Sequence, residues 1–262
     1  MQWSDHGLIL GMRRHGEASV ILEAMTEGHG RHLGLVRGGR SSRMRALLQT
    51  GNSVGLVWRA RLEDHLGNYS VEAQSLRAAK LIDSALALSA AQTITGHLRL
   101  LPERDPHPGL LAAAEVILDH LDDADTAARL MARFELELLD ELGFGLDLSR
   151  CALTGAQGDL AWVSPATGKA AGREAGAPWA DKLLVLPKFL AAKENSGAAA
   201  GAADLSAAFA LTGHFLFTHV WQPRGVAAPA DRTSFIRLAV HGSAARQAAT
   251  AQIDTFEGEN AE

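Results

Sequence analysis

The sequence of 262 residues is poor in several residue types, and each shortage excludes a class of protein. Its one cysteine, Cys151, cannot close an internal disulfide, which argues against a disulfide-stabilised secreted protein and favours a reducing cytoplasm. No basic leader precedes an apolar run at the N-terminus, and no charge-free apolar stretch reaches the length of a membrane span. We therefore predict no signal peptide and no membrane association.

Lysine is absent from the first part of the chain, and the charge is unevenly divided. Residues 1–77 contain ten arginines and seven acidic residues, a balance of +3, whereas the remainder carries fifteen basic and twenty-three acidic residues, a balance of −8. The formal net charge is −5. Opposite signs in the two parts indicate that the first part binds a polyanion and the second does not.

Five of the arginines lie within the fifteen residues RHLGLVRGGRSSRMR, numbered 31 to 45, which include no acidic residue. A guanidinium donates paired hydrogen bonds to phosphate and keeps its charge at physiological pH. Each arginine taken alone is equally typical of a solvated surface. Their density without acidic neighbours favours a patch that binds a phosphate backbone.

Short apolar or alternating segments, separated by glycine-rich breaks, predict five strands in the first 77 residues. In the fourth segment, Trp58 and Ala60 alternate with Arg59 and Arg61, so one face packs while the other carries charge. The segment SSRMRALLQ before it predicts a short helix. This order of elements is that of an OB-fold, a five-stranded barrel that binds single-stranded nucleic acid or oligosaccharide.

Beyond the predicted barrel the apolar residues recur at helical spacing, and we predict an α+β protein with three regions. An OB-fold nucleic-acid-binding domain spans residues 1–77, a mainly helical domain spans residues 78–248, and an acidic tail that frays spans residues 249–262. Within the helical domain, residues 150–180 are irregular apart from one strand at LAWVS. The helix before this region is predicted to begin at Asp125 as N-cap and to stop at Gly143.

Four segments give the chain a family resemblance. DHGLILGMRRHGEAS opens the predicted barrel, GHGRHLGLVRGGRSSRMRALLQTGN continues it, RFELELLDELGFGLDLSRCALTG lies in the helical domain, and RTSFIRL lies near the end. In order and spacing they resemble the RecO family of bacterial recombination mediators over nearly the whole chain. The resemblance implies a DNA-binding OB domain, annealing of complementary strands coated by single-strand binding protein, cooperation with RecR, and loading of RecA.

One departure from the family pattern concerns metal. Many members carry two C-x-x-C pairs that bind zinc in the loop region, whereas here Cys151 holds the first position, Thr154 stands at the second, and no further cysteine exists. A structural zinc ion takes about four ligands, mostly thiolate or imidazole. We therefore expect no zinc and no other cofactor.

The predicted DNA-binding residues are the arginines of the first domain, namely Arg13, Arg14, Arg31, Arg37, Arg40, Arg43, Arg45, Arg59 and Arg61. Because neighbours on a strand face opposite sides, at most one of Arg13 and Arg14 is expected to join the patch. Aromatic residues for base stacking are few, and Trp58 is predicted in the core. Binding to single- and double-stranded DNA is therefore expected to be mainly electrostatic and weakly selective for sequence.

The resemblance implies that protein partners contact the helical domain, with the acidic C-terminal tail of single-strand binding protein in a basic and apolar hollow. RecR is the second expected partner, and RecA is affected indirectly. The protein is expected in the cytoplasm, associated with the nucleoid. Any candidate base could equally pair with a neighbouring carboxylate. The candidate bases of the hollow are Arg129, Arg133, Lys188 and Arg237.

Two other classes of function stay open. An OB-fold also suits an RNA-binding or ribosome-associated protein, which a strong preference for RNA would favour. An enzyme would use the histidines and aspartates of the helical part, such as the segment DHLDDAD, and would lose activity with a chelator. A helix end followed by a new cap explains that segment better, and its spacing lacks the glycine of a calcium loop. We predict no catalytic residue and no metal site.

Overall fold

A computed structural model of the chain describes residues 1–191 and 200–259, with side chains described as far as residue 244. The chain divides into two compact units, Met1–Leu121 and Asp122–Glu262. The predicted domains divide earlier, after residue 77, so the helices between residues 78 and 119 belong to the same compact unit as the first domain.

Five strands of the first unit form a closed barrel in the order β1-β2-β3-β5-β4. The predicted strands and the α+β class are confirmed. Each predicted glycine-rich break contains a glycine with positive φ, a conformation that costs glycine little. The one parallel contact joins β3 to β5 at Leu35 and Asn68. The strands are β1 (Gln2–His15), β2 (Ser19–Thr26), β3 (Gly30–Val36), β4 (Ser53–Arg59) and β5 (Asn68–Ser75).

Alternate side chains of the strands fill the barrel, which is the pattern predicted for the fourth strand. Helix α1 (Ser42–Leu47) lies between β3 and β4, where the sequence predicts a helix. Met44 and Leu47 pack against the barrel core, and Leu48 is fully buried in it. The core also contains Ile9, Val20, Leu22, Ala24, Val36, Val54, Leu56, Trp58 and Tyr69.

Strand β1 carries a bulge that the sequence does not reveal. Ile9 pairs with Ala24 on β2, and the next pair is Gly11 with Glu23, so Leu10 is an extra residue on β1. A bulge of one residue changes which side of the sheet the following side chains face.

Beyond the bulge, Met12 pairs with Leu22 and Arg14 pairs with Val20. Leu22 and Val20 belong to the barrel core. Paired residues of neighbouring strands place their side chains on the same side, so Met12 and Arg14 face the interior side at the end of the barrel. Arg13 faces the opposite side.

Three helices complete the first unit: α2 (Ala78–Ile82), α3 (Ala85–Leu98) and α4 (Pro108–Asp119). Helix α3 contacts β1, and α4 contacts β1 and β2. Asn52 at the end of the α1–β4 connection accepts hydrogen bonds at Oδ1 from the backbone N–H groups of Arg77 and Ala78, 2.8 and 2.9 Å away. The first helical turn after the barrel is thereby fixed to it.

The second unit is mainly helical, with a small sheet in the order β7-β6-β8. Strand β6 (Leu160–Val163) is the strand predicted at LAWVS. Strands β7 (Ala170–Gly172) and β8 (Leu184–Val185) are too short to be recognised from sequence. The helices are α5 (Ala124–Glu141), α6 (Arg173–Gly176), a 3₁₀ helix (Ala177–Lys182), α7 (Lys188–Ala191), α8 (Ala202–Phe215), a π-helical stretch (Leu216–Trp221), α9 (Gln222–Arg224) and α10 (Ala230–Glu259).

The predicted start of α5 is wrong by two residues. Asp123 is the N-cap, and its Oδ1 accepts from the N–H of Asp125 at 3.3 Å. The segment offers several aspartates in succession, and local preference does not choose among them. The predicted stop is confirmed, because Gly143 has φ of 85° and directly follows the C-cap Leu142.

Two predicted segments lie partly outside the described residues. The Gly/Ala-rich segment SGAAAGAAD, whose composition predicts a loosely specified connection, includes residues 196–199, which belong to the undescribed range 192–199. The helical backbone of α10 continues to Glu259 within the predicted acidic tail, and residues 260–262 lie outside the described residues. None of the described helices is long and apolar enough to cross a membrane.

Candidate nucleic-acid interface

A cleft of ≈ 270 Å³ opens at the end of the barrel, and three of the predicted arginines line it. Arg14 reaches it from β1, Arg40 from the loop after β3, and Arg45 from α1. The loop is anchored to the β1–β2 hairpin, because the N–H of Arg40 donates to the carbonyl of Ala18 at 3.1 Å and its guanidinium donates to the carbonyl of Glu17. The fold thus brings together arginines from three separate elements.

Two more arginines lie on either side of Asn68 at the start of β5. The Nε of Arg37 donates to Oδ1 of Asn68 at 3.3 Å, and Arg59 is the β4 residue paired with Asn68. The Nε of Arg59 also donates to Oε1 of Gln2 on β1, 2.9 Å away. Since Arg37 and Arg40 belong to the same loop, these residues continue the surface that begins at the cleft.

We call the five arginines joined by these contacts the arginine rim: Arg14, Arg37, Arg40, Arg45 and Arg59. All five are exposed, as are Arg43 on α1 and Arg61 just after β4. Across the side chains that the structure describes, no carboxylate lies within 4.0 Å of any of these seven guanidinium groups. The rim therefore presents uncompensated positive charge to solvent.

Arg31 is placed differently from the other predicted arginines. Its Nη1 lies 3.0 Å from a carboxylate oxygen of Glu23 and 3.4 Å from one of Glu103, and its side chain is only 17% exposed. Arg99 pairs with the same Glu23 at 2.8 Å and donates to the carbonyl of the bulge residue Leu10 at 3.1 Å. Two glutamates thus compensate the charge of Arg31, and the structure does not bring it into the rim.

Arg13 also lies away from the rim. It lines a second cleft of ≈ 220 Å³, on the opposite side of β1 from Arg14, as strand alternation requires. That second cleft is lined by Gly11, Met12, Arg13, Ile21, Glu23, Arg31, Leu33, Arg99 and Glu103.

The aromatic residues of the barrel form one cluster that is largely internal. Trp58 is 1% and Tyr69 5% exposed, which confirms Trp58 as a core residue. Trp3 is partly buried and stacks on His29 with ring centroids 4.0 Å apart. Burial, and secondarily the positive charge of Arg104, lower the pKa of His32 in this cluster to about 4, so its ring is neutral at physiological pH. Little aromatic surface is available for stacking bases.

The region around Cys151 holds the thiol by hydrogen bonds. The Thr154 hydroxyl and the N–H of Gly172 contact the sulfur and lower the pKa of the thiol to about 7. Cys151 itself is buried. Within the part of the chain that the structure describes, no group of three or more histidine, cysteine or acidic side chains is arranged to hold a metal ion.

The predicted partner-binding bases all lie in the second unit, but they differ in burial and in their contacts. Arg129 on α5 pairs with Asp125 at 2.9 Å. Arg133 donates to the backbone carbonyl of Phe189, the residue after Lys188, and burial together with the charge of Arg129 lowers its pKa. Lys188 and Arg237 are exposed. The structure therefore brings Arg129, Arg133 and Lys188 into one neighbourhood.

The architecture is that of an OB barrel followed by a helical region, with an arginine-lined surface at the barrel end. Residues 1–77 match the family model described as Recombination protein O N terminal, and residues 81–225 match the one described as Recombination protein O C terminal. The chain belongs to the RecO family, which acts in DNA repair and recombination.

Relatives named DNA repair protein RecO match over most of their length. The protein of Chelativorans sp. (strain BNC1) is 61% identical over 236 residues, which are 90% of this chain and 94% of the relative. That of Mesorhizobium japonicum is 56% identical over 248 residues, 95% of this chain and 97% of the relative. That of Rhizobium etli (strain CFN 42) is 58% identical over 240 residues, 92% and 93% of the two chains.

Sequence reasoning missed three residues of the surface. Gln2 and Asn68 orient Arg59 and Arg37, and Met12 lies between the two clefts. Nothing in a single sequence marks a polar residue at a strand end as the partner of an arginine elsewhere in the chain. The sequence alone places Met12 in the core, because it shows neither the bulge at Leu10 nor the 42% exposure of the Met12 side chain.

Proposed function

We propose that this protein binds single- and double-stranded DNA through the arginine rim and anneals complementary strands, without a catalytic step of its own. One observation supports this proposal above the others. Seven exposed arginines lie at or beside the barrel end with no carboxylate partner among the described side chains.

Phosphate groups release bound counterions when arginines neutralise them, which makes such binding strong and dependent on salt. Contacts to the backbone carry no sequence information directly. A surface with many guanidinium groups and little exposed aromatic area therefore holds different strands with similar affinity. This property suits an annealing protein, which must bring two complementary strands together without selecting their sequences.

Family membership supports the remaining parts of the proposal. The protein acts in the cytoplasm, associated with the nucleoid, cooperates with RecR, binds the acidic tail of single-strand binding protein and promotes loading of RecA. The neighbourhood of Arg133 is the proposed contact for the tail. Its Nε is buried and has no hydrogen-bond partner among the described residues, so a carboxylate that reached it would gain a charged hydrogen bond.

Charge reversal tests the role of the rim. Arg37→Glu, Arg40→Glu and Arg43→Glu together are expected to abolish annealing of complementary oligonucleotides while the far-ultraviolet circular dichroism stays unchanged, because all three side chains are exposed. A matched control reverses Arg150, Lys169 and Lys182, exposed bases of the second unit, and produces the same change in net charge. The control is expected to anneal at the parent rate.

Affinity measured across a salt series gives a second readout. The slope of log affinity against log salt is expected to become shallower by roughly 0.7–0.9 for each phosphate that the rim variant no longer neutralises. A rim variant that anneals like the parent, or a control that loses annealing equally, contradicts the proposal. A strong preference of the parent for RNA over DNA of the same sequence favours the alternative function as an RNA-binding protein.

The partner contact is tested separately with a labelled peptide of the acidic tail. Arg133→Gln is expected to weaken peptide binding and to leave DNA annealing by the isolated protein unchanged. Arg173→Gln, an exposed arginine of the same unit that pairs with Asp159, serves as the control. Peptide affinity that is equal in the parent and in Arg133→Gln would reject this contact.

A further inference from the structure

The cleft of ≈ 270 Å³ at the barrel end, which we call the rim cleft, contains an apolar side chain beside its three arginines. Its lining residues are Met12, Arg14, Val20, Gly39, Arg40 and Arg45. Met12 is 42% exposed, although it lies on the interior side of the barrel wall. The cleft thus combines a thioether and a valine with three guanidinium groups.

The fold explains how this exposure arises. The extra residue Leu10 turns Met12 toward the interior side, and there β1 extends beyond the closed part of the barrel. The loop that carries Arg40 forms the facing wall and is held to the β1–β2 hairpin by two hydrogen bonds from Arg40. Met12 is therefore left beside a cleft with fixed walls and is not covered by packing.

The second cleft provides an internal comparison, since Met12 lines it too. There the guanidinium groups of Arg31 and Arg99 pair with Glu23 at 3.0 and 2.8 Å, so little charge is left for an anion. No carboxylate lines the rim cleft within the described chain. Of the two clefts, the rim cleft alone offers both an apolar surface and uncompensated cations.

A ligand that fits this chemistry has an apolar face flanked by negative groups. A nucleobase with its neighbouring phosphates has that form, and methionine sulfur makes favourable contacts with aromatic rings. In a duplex both faces of each base are covered by its neighbours, so only an unpaired base can present a face to a side chain. We propose that the rim cleft takes one unpaired base of single-stranded DNA onto Met12, while Arg14, Arg40 and Arg45 contact the flanking phosphates.

This inference rests on the proposed function and adds a preference to it. The outer part of the rim contacts phosphates of either single or double strands. The cleft adds an interaction that only a single strand can make. The protein then holds an unpaired strand more tightly and gives up that extra interaction when the strand pairs with its complement.

The test uses the full chain and three fluorescent DNA probes of equal length: an oligothymidylate, a strand of abasic residues, and a blunt duplex. Met12→Gln is expected to weaken binding of the oligothymidylate by roughly fourfold, the effect of losing the burial of about one methylene group, and to leave the other two affinities unchanged. Met12→Leu keeps an apolar side chain and is expected to retain the parent affinity. Leu88→Gln on α3, with 40% exposure in the parent, is the control for adding a polar side chain elsewhere.

Two results would overturn the inference. The first is unchanged affinity of Met12→Gln for oligothymidylate, and the second is an equal loss on the abasic strand and on the duplex. If the arginine variants still lose binding in either case, the proposed function stands and the base contact alone is rejected. A parent protein that binds none of the three probes would reject both.

Discussion

The guanidinium of Arg232 on α10 meets the carboxylate of Glu135 on α5 with N–O distances of 2.7 and 2.9 Å, across 97 residues of sequence. Glu135 is completely buried, and the hydroxyl of Thr212 on α8 donates to the same carboxylate at 2.5 Å. The two charged residues belong to the segments RFELELL and RTSFIRL that carry much of the family resemblance. The buried ion pair, together with the hydroxyl of Thr212, therefore links three helices of the second unit.

Removing one partner of this pair leaves the other charge buried without compensation. Glu135→Gln is expected to lower the free energy of unfolding by about 3–5 kcal/mol. Urea denaturation followed by circular dichroism measures the change. Arg173→Gln provides a matched comparison, because Arg173 and Asp159 form an exposed pair, and its cost is expected to be about 0–1 kcal/mol. Equal costs for the two variants would contradict the structural role of the buried pair.

Gly34 on β3 has the ring of Tyr69 directly against its Cα. A Cβ at this position would lie 2.2 Å from Cδ2 of Tyr69, so the ring or the strand must move. Gly34→Ala is expected to destabilise the first unit by about 1–3 kcal/mol through overpacking. Gly28→Ala is the control, because the nearest atom to its added Cβ is 3.5 Å away, and thermal unfolding of the two variants should separate clearly. A Gly34→Ala protein as stable as Gly28→Ala would show that the ring relaxes without cost.

The depressed pKa of His32 predicts how stability depends on pH. The pKa is about 4 in the folded protein, whereas an unperturbed histidine, which represents the unfolded chain, has a pKa of 6.5. Between these values the unfolded chain binds a proton that the folded protein does not, so the free energy of unfolding falls as the pH is lowered from 6.5 to 4. The loss reaches about 3 kcal/mol, and above pH 6.5 the residue contributes no pH dependence.

His32→Gln removes this titration, so unfolding of the variant is expected to depend less steeply on pH within that window. Comparison of the two proteins cancels the titration of all other groups that the substitution leaves undisturbed. Parallel curves for parent and variant between pH 4 and 6.5 would show that His32 is not held neutral by burial.

Arg31 and Arg37 lie six positions apart in the same cluster but are expected to differ in DNA binding. Glu23 and Glu103 compensate Arg31, whereas the Nε of Arg37 donates to the neutral side chain of Asn68. Arg37→Gln is expected to reduce the salt slope of DNA affinity by roughly 0.7–0.9, and Arg31→Gln to leave it nearly unchanged. Fluorescence anisotropy across a salt series measures both. A slope that falls equally in the two variants would mean that DNA competes successfully with the glutamates for Arg31.

The barrel could be predicted from the sequence because each of its signals is local. Alternation in β4 separates Trp58 from Arg59, and turn glycines separate the strands. The site could be predicted only in part, because its charge depends on residues distant in sequence. Nothing near Arg31 in the sequence indicates that Glu103 lies beside it. Sequence alone therefore does not distinguish Arg31 from the other arginines of residues 31–45.

The predicted N-cap of α5 was wrong for a different reason. Asp123 and Asp125 have the same intrinsic capping preference, and the choice between them depends on where α5 packs. Strands β7 and β8 of the small sheet were missed because segments of three and two residues are too short to give a periodic signal.

Because of the bulge at Leu10, the number of residues in β1 affects the surface that the strand presents as much as their identity does. Deletion of Leu10 would remove the bulge and keep the pairs Met12–Leu22 and Arg14–Val20, whereas loss of the bulge at unchanged length would turn Gly11 and Arg13 to the side that Met12 and Arg14 now face. A related chain that lacks the extra residue would thus show DNA the same arginine, while a chain of the same length with a regular strand would show it the opposite face.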